Sequence, residues 1–404
     1  RVCLSICLLV FLPLNLESFA YRLLSAFPVH LHRKSNEKIH RIMKIKNIFF
    51  AAILVLAGFS CSMEDDAIMN DVEKGIEEAT EAYTVLDFGV AFNEMATKAS
   101  TTVVPGEDRP ATGDENNDEK KISEVSVFLL EDGKVIGILI PQNRNQVSSN
   151  SDGSITLKDL KFVTKYKTNR TLEAHVVING NQFLKNINIG DAQSALNQQI
   201  SGCLSADQLI KYGSTRIVFG KDITNSYSSP SVAENNPTTI LVKVSHVAAR
   251  LDFSQFDVTL KGFEGNPTVV FDEAKFVNLQ QNGKIVEGDA SVNVKDGAFL
   301  NRSNRIGTRW TDLGTAYGYA NQYRQDSEMN TALYVKFTVD GRTFEKTYPI
   351  NPAGITKEVD HNGIKGGYLY DIKVRWTITP DWGDSTIEFY TRDWVHNSIP
   401  EIVL

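Results

Sequence analysis

The sequence is short of the residues that catalysis and metal binding draw on. Four of its 404 residues are cysteine: Cys3, Cys7, Cys61 and Cys203. They form no CxxC pair and no histidine stands at ligand spacing to them, so neither a disulfide framework nor a zinc site is expected. His175, His246, His361 and His396 are scattered, with no HxH or HExxH among them. GxSxG, a P-loop and a GxGxxG after a strand are also missing, which removes common signatures of hydrolases and nucleotide-binding proteins. No catalytic residue, cofactor or metal site is expected, and no enzyme. Positive charge is in short supply as well. The 42 Lys and Arg are outnumbered by 49 Asp and Glu, for a net charge of −7, so no nucleic-acid footprint is expected.

What is present begins with a leader. Residue 1 is Arg, and the apolar but irregular opening contains Pro13. Further on, Met43 starts a basic KIKN and an apolar IFFAAILVLAG, the parts of a secretory signal. The expectation is that 1–42 is upstream translated sequence, not native, and that 43–60 is a signal peptide. The run Ala57-Gly58-Phe59-Ser60-Cys61 resembles a bacterial lipobox, with Phe59 where the tightest form has a small residue. Acylation of Cys61 would hold the chain on the outer membrane, because two or three acyl chains anchor a protein stably. Residues 61–82 carry eight acids before Tyr83 against Lys74 alone and read as a solvated acidic tether.

From Tyr83 the period changes to two. In YTVLDFGVAF, Leu86, Phe88, Val90 and Phe92 share one face of a strand and Asp87, Gly89 and Ala91 the other. A long Thr-, Gly- and acid-rich stretch through Lys121 follows, of the kind that is functional or exposed to proteases. Alternating strands then resume, with hairpins at Glu131-Asp132-Gly133 and Val339-Asp340-Gly341-Arg342. IGDAQSALNQQI reads as a short helix capped by Asp191. The polar, proline-bearing 224–239 reads as a linker. The fold class predicted is all-β: two tandem β-sandwich domains with few short helices, 83–237 and 238–404. Cys203 reads as a small buried or half-buried side chain. Trp376 and Trp382 are candidates for a sugar platform, with core and interface packing as the competing use.

The chain is similar to the fimbrillins of Bacteroidales type V pili, the FimA-type family. The similarity rests on the lipobox at Cys61, RTLEAHVVINGN (170–181), VSHVAARLDF (244–253), YDIKVRWTITP (370–380) and the closing TRDWV (391–395), in that order. It implies transthyretin-like sandwiches in a surface fimbrial subunit that supports adhesion, with other fimbrial subunits as partners. It implies that a trypsin-like protease cuts after the first strand, at Lys98 or at Arg109. The family usually uses arginine, but Pro110 follows Arg109 and makes a poor cleavage partner. Loss of Leu86, Phe88, Val90 and Phe92 would then open a groove. A strand from another subunit would fill it, the implied donor being the C-terminal segment with Ile387, Phe389, Thr391 and Trp394. Without the cut, the chain would be a pilus anchor subunit. The alternative outside the family is a non-polymerising surface lipoprotein that binds glycans.

Overall fold

A computed structural model describes residues 81–92, 118–151, 153–286, 288, 290–297, 299–300, 305–351, 361–393 and 401–402. The leader, Cys61, the tether, Lys98, Arg109 and Trp394 lie outside them.

The alternating stretches form strands, and the strands build two lobes within the unit Ala79–Leu404. The first lobe holds β1 (Tyr83–Phe92), β2 (Lys121–Ile122), β3 (Val125–Glu131), β4 (Lys134–Leu139), β5 (Val147–Ser149), β6 (Ile155–Lys165), β7 (Thr171–Ile178), β8 (Gln199–Ser201), β9 (Lys211–Val218) and β10 (Thr238–His246). Eight of these hydrogen-bond in the order β4-β3-β7-β9-β10-β1-β6-β5. The sheet turns a corner where β9 and β10 pair only at Ser245/Tyr212 and His246/Lys211. Gly213 permits that corner, since a Cβ there would lie 1.8 Å from the Lys243 carbonyl oxygen. The sheet then closes on itself. Gly137 of β4 comes so near β6 that a Cβ would be 2.7 Å from the Phe162 ring. Between the walls lies an apolar core that includes Leu86, Phe88, Val90, Val127, Leu157, Val176 and Val242.

The second lobe is a sandwich of two sheets. Its strands are β11 (Ala249–Leu260), β12 (Val269–Val277), β13 (Leu279–Gln280), β14 (Asn282–Lys284), β15 (Val294–Lys295), β16 (Phe299–Leu300), β17 (Arg305–Ile306), β18 (Arg309–Gly318), β19 (Ala332–Val339), β20 (Arg342–Pro349), β21 (Tyr368–Ile378), β22 (Gly383–Asp393) and β23 (Glu401–Ile402). One sheet runs β18-β11-β21-β22 and the other β16-β12-β19-β20, with β17 also on β12. Aromatic rings fill the space between. Phe256 stacks on Trp310, and Phe337 meets both Phe344 and Trp376. The lobes are joined by pairing of β8 with β14, by a 2.6 Å bond from the Tyr319 hydroxyl to the Gly202 carbonyl, and by a mixed apolar cluster that includes Ile200, Leu209, Ala248, Ile285 and Leu369.

Three sequence expectations change here. β10, expected to open the second domain, completes the first sheet between β9 and β1, so the first lobe extends through His246. The reason is a partner about 150 residues upstream, which local pattern does not reveal. The 224–239 linker carries an α-helix, α2 (Pro230–Glu234), capped by Ser229; a four-residue α1 (Asn181–Leu184) precedes it. The helix expected near Asp191 is a 3-10 turn over Gln193–Leu196 with no side-chain cap; Asp191 instead accepts from the Asn188 N–H.

Candidate functional site

The first strand forms as its alternation predicts, over Tyr83–Phe92, but its place is unusual. β1 lies in the interior of the eight-stranded sheet, parallel to β10 from Leu86 to Phe92 and antiparallel to β6. Leu86, Phe88 and Val90 are 0% exposed and Phe92 7%. Gly89 meets its neighbours closely, as a Cβ would stand 3.1 Å from Leu241 Cδ1 and 3.2 Å from the Ile155 carbonyl oxygen. Burial raises the Asp87 carboxyl above its usual range, opposed by a 2.9 Å hydrogen bond from the Phe88 N–H.

The N-terminal end of β1 is fastened from both sides. Tyr83 exchanges two 2.8 Å backbone bonds with Tyr227, and the Tyr166 N–H donates to Ala82 at 2.7 Å. Glu81 accepts from Lys165 and from the Tyr83 hydroxyl, and both contacts hold its carboxyl below the usual range. The five-residue α2 packs against β1.

The C-terminal end meets a buried charged cluster. The Lys211 ammonium lies 5.8 Å from the centre of the Phe92 ring and donates to the Glu119 carbonyl at 2.7 Å. Burial pushes its pKa down to about 7, with Glu119 opposing. The Glu119 carboxylate takes Arg250 at 3.0 Å and the Tyr317 hydroxyl at 2.5 Å. Arg250 also holds Asp252 at 3.0 Å. His246 is held well below its usual pKa, first by burial and then by the Lys211 and Arg250 cations. Two points of the chain, Phe92 and Glu119, therefore meet at one lysine. The stretch between them, 93–117, carries both expected cut sites. Sequence reading missed this cluster, because isolated charges in strands look like the solvent-facing half of an alternation.

The expected donor segment is split. Ile387, Phe389 and Thr391 fall in β22, where they stand opposite Val374, Ile372 and Tyr370 of β21. β23, at the C-terminus, pairs in parallel with β2 through Glu401/Lys121 and Ile402/Ile122. Trp376 is 6% exposed and packs edge-on against Phe337 and Phe344, which places it in the core and removes it from any sugar platform. Trp382 is 60% exposed. Cys203 is half-buried, accepts from the Gln182 amide at 3.1 Å, and has its thiol pKa raised by burial. Among the described residues no group of three or more His, Cys, Asp or Glu could hold a metal ion.

No family model matches the sequence, and no curated protein matches it. Solved structures do. A candidate cell adhesion protein from Parabacteroides distasonis superposes with a TM-score of 0.53 at 17% identity, covering 78% of this chain and 98% of that one. A fimbrial assembly protein from the same organism gives 0.44 at 16% identity, over 77% and 100%. A fimbrilin from Porphyromonas gingivalis gives 0.44 at 14% identity, over 78% and 98%. The chain shares an all-β fold with the Parabacteroides distasonis adhesion protein, the fold class that the resemblance in its sequence implied.

Proposed function

We propose that the chain is a structural subunit of a cell-surface fimbria, exported as a lipoprotein on Cys61 and polymerised by donor-strand exchange. The observation that carries this reading is β1, an interior strand of its sheet whose downstream connection holds Lys98 and Arg109. A cut in that connection frees the strand from the lobe without breaking the rest of the chain. Its loss exposes the apolar slot of Leu86, Phe88, Val90 and Phe92 and unpairs both β10 and β6. Reburying four such side chains is worth about 6–12 kcal/mol before entropy, an upper bound. That is a strong drive for a neighbour's strand to enter by main-chain pairing. The trypsin-like protease, the other subunits and the outer membrane are the partners this implies.

A second reading, a tip or anchor subunit that ends the polymer, draws support from the carboxyl end. β22 pairs along its whole length with β21, and β23 pairs with β2 of the same chain. A donor drawn from that segment must first give up those pairings.

Intact mass and N-terminal sequencing, before and after trypsin-like treatment of protein from the cell surface, test both. A new terminus at Ala99 or Pro110, with high-mass ladders on mild SDS gels, is expected for a polymerising subunit. An acylated Cys61 that survives treatment, with no ladder, overturns that reading and leaves the anchor subunit or a glycan-binding lipoprotein.

A further inference from the structure

The segment that follows 93–117 is held more firmly than its length suggests. β2 is two residues long and, among the described residues, it pairs only with β23. The ladder is parallel, Lys121 with Glu401 and Ile122 with Ile402. β23 follows β22 of the second lobe in sequence, yet it lies against β2 and β5 of the first. A two-residue parallel ladder is weak on its own. The place of β23 therefore depends on what fixes β2.

Two buried polar side chains fix it, one from each side. Before β2 stands Glu119, 1% exposed. Its carboxylate reaches Arg250 and Tyr317 in the second lobe, and its carbonyl takes Lys211 of the first. The turn that carries it is closed by Lys121, whose N–H donates to the Asp118 carbonyl at 3.1 Å and whose ammonium lies 2.9 Å from the Asp118 carboxylate. On the other side stands Asn179. Its amide donates to the Lys121 carbonyl at 2.9 Å and the Leu209 carbonyl at 3.2 Å, and its oxygen accepts from the Ser123 N–H at 2.8 Å and hydroxyl at 3.0 Å. Ile122, between the two, is fully buried in the first-lobe core. None of these contacts is made by β1, which comes near only through the Phe92 ring beside Lys211.

We infer that Glu119 is a clamp that keeps β23 on its own chain, an autoinhibitory contact separate from the hold on β1. Removal of β1 opens the slot but leaves Glu119, Asn179 and therefore β2 in place. β23 comes free only when the Glu119 carboxylate lets go of the second lobe. Opening does not strand a buried cation, because Arg250 keeps Asp252 at 3.0 Å. An open slot and a free strand then arise in two steps, so a cut chain does not offer both to its neighbours at once, which is the hazard of unpaired strand edges. The inference rests on the subunit reading above and adds to it a control on β23.

The test is amide hydrogen exchange on the full, uncut chain in detergent, read in peptides that cover 121–122 and 401–402, with β12 and β19 as controls. Glu119→Ala should speed exchange at both ladder strands by about ten-fold or more, and the milder Tyr317→Phe, which removes one bond to the carboxylate, by about three-fold. The controls should keep their wild-type rates. Exchange at 401–402 unmoved in Tyr317→Phe, or acceleration in that variant shared equally by β12 and β19, overturns the clamp. The same peptides are then followed in wild-type chain cut within 93–117. Protection retained at 401–402 is expected, and protection lost on cutting alone overturns the two-step order and the inference with it. Ladders on mild SDS gels are scored separately. No ladder from any variant, with protection as expected, sinks the subunit reading alone. A ladder that forms equally fast from cut wild type and cut Glu119→Ala sinks the clamp alone.

Discussion

β1 and β22 are strands of nearly equal length, ten and eleven residues, with opposite situations. Among the described residues β22 ends its sheet and has one neighbour, β21; β1 is flanked on both sides, by β10 and β6. An edge strand that leaves exposes one ladder. An interior strand that leaves exposes two ladders and the core between them, which makes a deep slot that accepts only another strand. The difference shows that the first segment of this chain is the costlier to remove and the one whose removal has the greater consequence.

The sharpest way to break the comparison is truncation in each strand. Phe88→Ala should cost about 3–5 kcal/mol, as expected for a fully buried ring, while Thr386→Ala on the exposed side of β22 should stay within about 0.5 kcal/mol. Denaturant midpoints of the two variants decide it; equal losses would remove the asymmetry. Next in size is Glu119→Ala, which takes the carboxylate from Arg250 and Tyr317. It should cost about 2–3 kcal/mol, and hydrogen exchange should rise on both sides of the lobe junction, at β9 and at β11. Exchange confined to one lobe would mean the cluster is not a joint between them.

Lys211 sharpens the picture through pH. Its folded pKa of about 7 is depressed from 10.5, so between those values the unfolded chain binds the extra proton. Stability therefore rises as pH goes from about 7 toward 10, and the penalty is fully present below 7. The slope from this group is at most about 1.4 kcal/mol per pH unit. Lys211→Met should flatten the rise, and a slope unchanged in the variant would assign it to other groups. The smallest effect is a gain. Thr84 is 0% exposed and its hydroxyl has no hydrogen-bond partner among the described residues. Thr84→Val should stabilise β1 by about 1 kcal/mol, read as a higher denaturant midpoint; under the strand-exchange proposal it should also delay the ladder.

Much of the fold was legible where the signal is local. The bounds of β1 follow from its alternation, and the hairpins from Asp132-Gly133 and Asp340-Gly341, where all four residues adopt positive φ as such turns require. Long-range pairing was not legible. β10 finds β1 across the whole first lobe, and 224–239 looked like a linker because it is polar and proline-bearing, its α2 carrying one large apolar residue, Val232, which is exposed. Ser229-Pro230 was a readable cap signal. The site was legible in half: the inward face of β1 was there to read. The cluster of Glu119, Lys211, Arg250 and Tyr317 was not, since each comes from a different strand or turn and no spacing links them.

Because Phe92 and Glu119 both meet Lys211, the span that 93–117 must bridge is short and already fixed at each end. Closing a longer loop between fixed ends costs only about 0.6 kcal/mol per doubling of its length. The connection is thus a natural port for foreign sequence. A recognition tag or an antigenic peptide placed there would be carried by the two lobes with little effect on either, and would depart or persist with whatever cuts beside it.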